Sequence, residues 1–255
     1  MPRKPTVIAV LPPIPVTDYE RKRRSLQYQA HAAEGVTVDV RLLQGGPTLT
    51  DREYELFWST GFMILEAETA AREGAAAIVI DCTADPGIIP ITEAVDLPVV
   101  GALRAAVHLA LQIGSRFSVL ALDGDWARMI GDQLQFYGLR DRAASIEIVG
   151  THVYNPRRGR VMNKAESSKF YLSLLKAGRQ AAAAGADSVI LGSTTIIEGV
   201  ADLEKDLGIP VIPPGIAALK TAELMLAMGI RPSRHAYPSP VIPYGREMAK
   251  LLRRG

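Results

Sequence analysis

Short, continuous apolar runs recur along the chain, and the stretches between them carry apolar residues at helical spacing. The runs predict strands at Thr6–Leu11, Val36–Leu42, Ala76–Asp81, Val99–Gly101, Phe117–Leu122, Ile146–Val149, Ser188–Gly192 and Val211–Ile212. Several show no polar alternation, as expected of parallel strands covered on both faces. The intervening helices are punctuated. Thr50 or Asp51 can cap a long helix running to Glu73, where Gly74 stops it. Asp123 or Asp125 can cap one that contains Trp126 and Met129 and ends near Tyr137-Gly138. Ser167 or Ser168 opens another, ending in Ala181 to Ala184 and Gly185, and a further helix covers Ile216 to Met228 before Gly229. The alternation predicts an α/β fold built on parallel sheets.

An internal repeat divides this pattern. Gly74-Ala75-Ala76-Ala77-Ile78-Val79-Ile80-Asp81-Cys82-Thr83 matches Gly185-Ala186-Asp187-Ser188-Val189-Ile190-Leu191-Gly192-Ser193-Thr194. Both copies continue alike, as Leu97-Pro98-Val99-Val100 and Ile209-Pro210-Val211-Ile212, and then enter Ala-rich helices in which Ala105-Ala106 matches Ala217-Ala218. The repeat predicts one lobe of residues 1–100 plus 214–255 and a second of 101–213, with no Ser/Gly linker between them. In open parallel sheets ligands sit beyond the carboxyl ends of the strands. Cys82 and Ser193 both follow their strands immediately, which predicts one site shared by two similar halves.

Composition narrows the function classes. The 255 residues are 48% hydrophobic and 22% charged, an ordinary globular balance, and the formal charge of +2 gives no argument for nucleic acid. The basic runs Arg21-Lys22-Arg23-Arg24 and Arg157-Arg158-Gly159-Arg160 are read as solvated surface or salt-bridging segments, with an anion or partner contact as the alternative. One cysteine rules out an internal disulfide framework. The apolar run Val7 to Leu11 meets Pro12-Pro13 and reads as a first strand rather than a signal segment, and no stretch has the length of a membrane span. A cytoplasmic protein without membrane contact is the expectation.

Cys82 leads the residues able to do chemistry. Its flanks, Asp81 before and Thr83-Ala84-Asp85-Pro86-Gly87 after, form a polar turn entering a helix, a setting whose N–H groups can stabilise a thiolate. The competing reading is a small core residue. Ser193-Thr194-Thr195 follows Gly192 at the matching strand end. Its hydroxyls serve either as helix caps or as a cradle for a carboxylate or enolate oxygen. His31, His108, His152 and His235 are widely spaced; His108 reads as packed in an Ala-rich helix, and His152, after a strand, is placed to approach the cleft. There is no nucleotide-binding glycine motif and no zinc spacing. Tyr54, Phe57, Trp58 and Phe62 read as core or interface.

These residues resemble the aspartate/glutamate/hydantoin racemase superfamily, closest to its hydantoin and allantoin racemase branch. The resembling pieces are Gly46-Pro47, Ala76 to Gly87 with its Cys-x-x-Asp-Pro-Gly, Leu97 to Gly101, Gly114 to Val119, and Ala186 to Thr194. The resemblance implies two Rossmann-like parallel-sheet lobes in pseudo-two-fold arrangement, with the active site in the cleft between them. It also implies chemistry with no metal and no cofactor, in which two cysteines work opposite faces of a carbon beside a carbonyl. Cys82 matches the first cysteine, and Ser193 stands where the second would be. Thr83, Asp85, Gly192, Thr194, Thr195, Pro12 and Pro13 fall at the positions expected to contact substrate.

The chain departs from that pattern elsewhere. Leu11-Pro12-Pro13-Ile14-Pro15 replaces a polar loop, Ala121-Leu122 a Thr-rich strand end, and Pro213-Pro214 an often acidic position. These changes favour a more apolar ligand. The expected function is therefore a cofactor-independent racemase or epimerase acting α to a carbonyl or carboxylate, on a hydantoin-like or amino-acid-like small molecule, with Cys82 as the acid–base thiol. A one-thiol decarboxylase or cis–trans isomerase, or a non-catalytic ligand-binding member, is the alternative. The single-cysteine decarboxylases of the superfamily keep their thiol in the second half, the reverse of this chain. A homo-oligomer is compatible with the resemblance.

Overall fold

The computed structural model describes residues 6–150, 154–155, 160–161, 164–196 and 199–252. In chain order the first elements are β1 (Thr6–Leu11), α1 (Asp18–Gln29), β2 (Val36–Val40), α2 (Glu53–Arg72), β3 (Ala77–Ile80), α3 (Ile88–Ala94) and β4 (Val99–Gly101). Next come α4 (Ala102–Ile113), β5 (Phe117–Ala121), α5 (Gly124–Phe136), β6 (Ala143–Ile148) and the short antiparallel pair β7 (Tyr154–Asn155) and β8 (Arg160–Val161). The chain continues through α6 (Lys164–Ala183), β9 (Ser188–Leu191), α7 (Val200–Leu207), β10 (Val211–Ile212), α8 (Pro214–Ala227) and α9 (Gly245–Leu252). The fold is α/β with two parallel four-stranded sheets, ordered β2-β1-β3-β4 and β10-β9-β5-β6.

The chain forms two compact units. One comprises the residues up to Asp81, Pro86–Gly101 and those from Leu219 onward; the other comprises Cys82–Asp85 and Ala102–Ala218. In the first, β1 pairs with both β2 and β3, Ile8 opposite Val38 and Ala77. Ile8 to Leu11 and Ala77 to Ile80 are wholly buried, which accounts for their unbroken apolar runs. In the second, β5 pairs with β6 and β9, and α6 covers the sheet by laying Phe170, Leu174, Ala177 and Ala181 against Leu120, Val189 and Leu191.

The sequence repeat is a repeat of topology. β3 lies between β1 and β4, and β9 between β5 and β10, so the two sheets have equivalent strand orders. The equivalence extends to single hydrogen bonds: Asp81 N–H donates to Leu11 O and Gly192 N–H to Leu120 O, each at 2.9 Å. Cys82 and Ser193 are therefore the residues one step beyond equivalent strand ends.

Several element boundaries differ from expectation. The cap of α2 is Arg52, whose N–H donates to the Glu55 carboxylate at 2.7 Å; the acidic side chain three residues on takes over the role assigned to Thr50 or Asp51. β6 begins at Ala143 rather than Ile146; Ala143 is buried but Ala144 and Ser145 are only half-buried and make no apolar run, and the pairing with β5 shifts between Phe117 and Ser118. α6 opens at Lys164, so Ser167 and Ser168 lie exposed within it. α8 starts at Pro214, a residue whose missing N–H costs nothing in a first turn. Asp123 caps α5 as expected, accepting from Trp126 N–H at 2.8 Å.

The basic run at Arg21 to Arg24 forms part of α1, a helix the apolar pattern does not reveal because the residues it buries are Glu20, Arg24 and Tyr28. Thr17 caps it, accepting from Glu20 N–H at 3.2 Å. Arg24 turns inward and ion-pairs with Asp81, whose other oxygen accepts from Tyr28 Oη at 2.6 Å. Burial opposes the Arg24 charge, but Asp81, then Tyr28 and Glu20, outweigh it and raise its pKa. The ion pair thus anchors the residue before Cys82. Replacing Arg24 with Ala leaves the Asp81 carboxylate without its guanidinium and is expected to cost about 3–5 kcal/mol, measured by urea denaturation. A loss below about 1 kcal/mol would contradict this anchoring role.

Candidate functional site

The turn after β3 begins at Cys82, a buried thiol with 5% of its surface exposed. Asp85 N–H donates to Cys82 O at 3.1 Å, closing a four-residue turn. Asp85 holds a left-handed backbone, φ +46°, uncommon for a residue with a side chain although tolerated best by Asp and Asn. The next element, α3, is entered through Gly87 at φ +69°.

Within the second unit this turn meets the end of β9. Thr83 Oγ1 donates to Gly192 O at 2.8 Å, and the Trp126 indole N–H donates to the same carbonyl at 2.6 Å. The indole nitrogen is also 3.2 Å from Thr83 Oγ1, so the three groups form a closed triangle. Gly192 is required by space. A Cβ there would stand 2.4 Å from Leu120 O and 2.8 Å from the Ala121 Cα, both main-chain atoms. Beyond it, Ser193 Oγ lies 2.8 Å from Thr195 Oγ1 and accepts from Thr195 N–H at 3.3 Å. Ser193 and Thr195 are half-buried and Thr194 is buried.

Asp85 is buried and its carboxylate is held by protein donors. Leu103 N–H (3.0 Å) and Arg104 N–H (2.8 Å), in the first turn of α4, donate one to each oxygen. The Tyr137 hydroxyl donates to the second at 2.6 Å, and the Arg104 guanidinium lies 5.8 Å from the centre of the Tyr137 ring. Burial raises the Asp85 pKa from 3.8 to about 6, against the lowering effect of Tyr137 and the two N–H groups. Burial and the adjoining carboxylate in turn hold the Tyr137 phenol well above its ordinary value.

The structure thus brings together Cys82, Thr83, Asp85, Gly192, Ser193, Thr194 and Thr195 in one unit. Pro12 and Pro13 belong to the other, following β1 at the sheet end where Asp81 leaves β3; both are buried, and Pro13 O accepts from the Ser59 hydroxyl. His108 is exposed on α4 with Nδ1 at 2.7 Å from Arg104 O, a helix-surface position rather than a packed one. Tyr54, Phe57 and Trp58 are exposed on α2 and are not core. His152 and residues 157–159 lie outside the described residues. Among the described residues no three His, Cys, Asp or Glu side chains group as a metal site requires, and no helix is long and apolar enough to cross a membrane. Sequence reasoning missed the site roles of Trp126, Tyr137 and Arg104. Trp126 stands just after a capped strand end, a weak signal that could have singled it out.

Comparison with known proteins gives this geometry a context. The profile of the family described as Asp/Glu/Hydantoin racemase matches residues 17–222. The hydantoin racemase of Paenarthrobacter aurescens is 30% identical over 216 residues, 83% of this chain and 88% of that protein. The chain therefore belongs to the Asp/Glu/Hydantoin racemase family and is an isomerase of the racemase type. Among solved structures, the allantoin racemase from Klebsiella pneumoniae superposes with a TM-score of 0.82 at 22% identity, covering 93% of this chain and 94% of that one. Arylmalonate decarboxylase superposes at 0.59 with 16% identity, covering 88% and 94%. At those identities both likenesses concern the fold.

The raised carboxyl of Asp85 makes stability depend on pH. Between 3.8 and about 6 the folded chain binds a proton at Asp85 that the unfolded chain has released. Its contribution is thus fully present below about 3.8 and is lost as pH rises through about 6. A shift of roughly two units corresponds to on the order of 3 kcal/mol. Urea denaturation from pH 4 to 7.5 is expected to show this fall in wild type and not in Asp85→Asn; parallel curves would contradict it.

Proposed function

We propose that this chain is a cofactor-independent racemase acting at a carbon α to a carbonyl, on a hydantoin-like substrate, with Cys82 as its acid–base group. The observation that carries the reading is the tie from Thr83 to Gly192. It joins the turn bearing Cys82 to the strand end bearing Ser193, so that the equivalent positions of the two repeats serve one reaction centre. The 30%-identical relatives that are hydantoin racemases support the substrate class.

In this mechanism the Cys82 thiolate takes the α-proton and becomes a thiol, and the electron pair of the C–H bond moves onto the carbonyl oxygen as an enolate. The hydroxyls of Thr194 and Thr195 donate to that oxygen, where their stabilisation is greatest in the transition state. A thiol suits this task because its pKa can be tuned near the working pH. Return of a proton to the same face restores the original configuration. Return to the other face inverts it: Ser193 relays that proton from water, and the proton held by the Cys82 thiol passes to the hydroxide left behind, which restores the thiolate. A serine hydroxyl is a poorer acid than a thiol, which favours exchange over inversion. Thr83 is a holding residue here, since its hydroxyl is engaged by Gly192 and Trp126.

Proton NMR in D₂O with enantiopure 5-substituted hydantoins, paired with chiral chromatography, tests the reading. Wild type is expected to exchange the α-proton faster than it inverts the carbon. Cys82→Ala should lose the exchange by about 10²–10⁴-fold, the range typical of an acid–base group. Full activity in Cys82→Ala would overturn the role of the thiol, and no exchange across the panel would overturn the hydantoin assignment. Ser193→Cys is expected to raise inversion relative to exchange; an unchanged ratio would remove Ser193 from the second face.

A further inference from the structure

Asp85 is a buried carboxylate that the proposed chemistry leaves without a task. It closes the turn that Cys82 opens, with its N–H on Cys82 O at 3.1 Å, so the two residues are held within the span of one β-turn. Its side chain occupies the N-terminus of α4, a twelve-residue helix, taking the Leu103 and Arg104 N–H groups. A helix N-terminus carries partial positive charge and N–H donors that stabilise an anion, a nearby thiolate included. Here a carboxylate has already claimed them. The titratable and charged groups that face Asp85 are Tyr137 from the end of α5 and Arg104 from α4, with Gln133 acting on the Tyr137 hydroxyl. The left-handed backbone at Asp85 is a strained conformation maintained by these contacts.

We propose that Asp85 is a positioning residue for Cys82: it docks the Cys82–Asp85 turn on the α4 N-terminus and places a carboxylate within the same turn as the thiol. Cys82 consequently retains its proton to higher pH than it would with a neutral residue at position 85, and can serve as acid as well as base. The inference rests on the reading of Cys82 as the acid–base group, but its test needs no substrate.

Because the chain has one cysteine, the difference in absorbance at 240 nm between the protein and its Cys82→Ser variant reports the thiolate of Cys82 alone. In Asp85→Asn, which keeps the shape and suits the backbone, the thiolate midpoint is expected to fall by about one pH unit, the effect of removing one charge at this range. Asp85→Ser, a neutral capping residue, should move it the same way, and Asp85→Glu should return it toward wild type. A midpoint within about 0.2 unit of wild type in a folded neutral variant would overturn the proposal.

Tyr137→Phe tests it without altering the carboxylate. Loss of the hydroxyl donor lets Asp85 keep its proton to higher pH. Iodoacetamide should then alkylate Cys82 severalfold faster than in wild type at pH 6.5 and at an equal rate at pH 9. The same ratio at both pH values would indicate a merely loosened structure and overturn the inference. An absent hydantoin activity would leave these titrations readable, so failure of the racemase reading and failure of the Asp85 assignment are distinguishable.

Discussion

The carboxylate of Asp85 holds the turn that begins at Cys82. Backbone N–H groups at the start of α4 must find acceptors once buried, and the nearest side chain able to supply two oxygens stands at the end of the β3 turn. Satisfying them pulls Cys82–Asp85 into the second unit while the flanking Asp81 and Pro86 remain with the first. The cost is a left-handed backbone at a residue with a side chain and a carboxyl pushed upward by burial. Tyr137 offsets part of that cost with a short hydrogen bond.

The two repeats share a backbone and differ in the side chains at their strand ends. Asp81 and Gly192 occupy equivalent places and make the same main-chain bond, yet one is locked by Arg24 and Tyr28 and the other can carry no side chain. The Gly192 carbonyl accepts instead from Thr83 and Trp126. One step further, one copy carries the Cys82 thiol and the other the Ser193 hydroxyl. Symmetry of topology therefore supplies a frame, and the departures from symmetry supply the division of labour on which the proposed function depends.

Family membership agrees with this frame without deciding the reaction's details. Racemases and decarboxylases share the fold at low identity, so the substrate and the protonated face follow from particular side chains. Ser193 is bonded to its own loop through Thr195, and the proposed function gives it the second face of the reaction.

Strand existence was legible because buried parallel strands demand unbroken apolar runs, and Ile8 to Leu11 or Ala77 to Ile80 can be little else. The matching of Cys82 to Ser193 was legible for the same reason: the repeat ties each to its strand end by a fixed offset. The start of β6 and the helix α1 were not, since neither carries the periodicity that marks an apolar buried face. Arg24 looked like surface in a run of basic residues until Asp81, 57 positions away, gave it a buried partner. The same holds at the site, where Trp126 is 66 residues from Gly192 and Tyr137 is 52 from Asp85. Local pattern records which face of an element is covered, but hydrogen bonds between distant segments depend on how the chain is folded back. The strands, the repeat and the candidate thiol could thus be read along the chain, whereas the sheet order and the partners that hold the thiol's turn exist only in three dimensions.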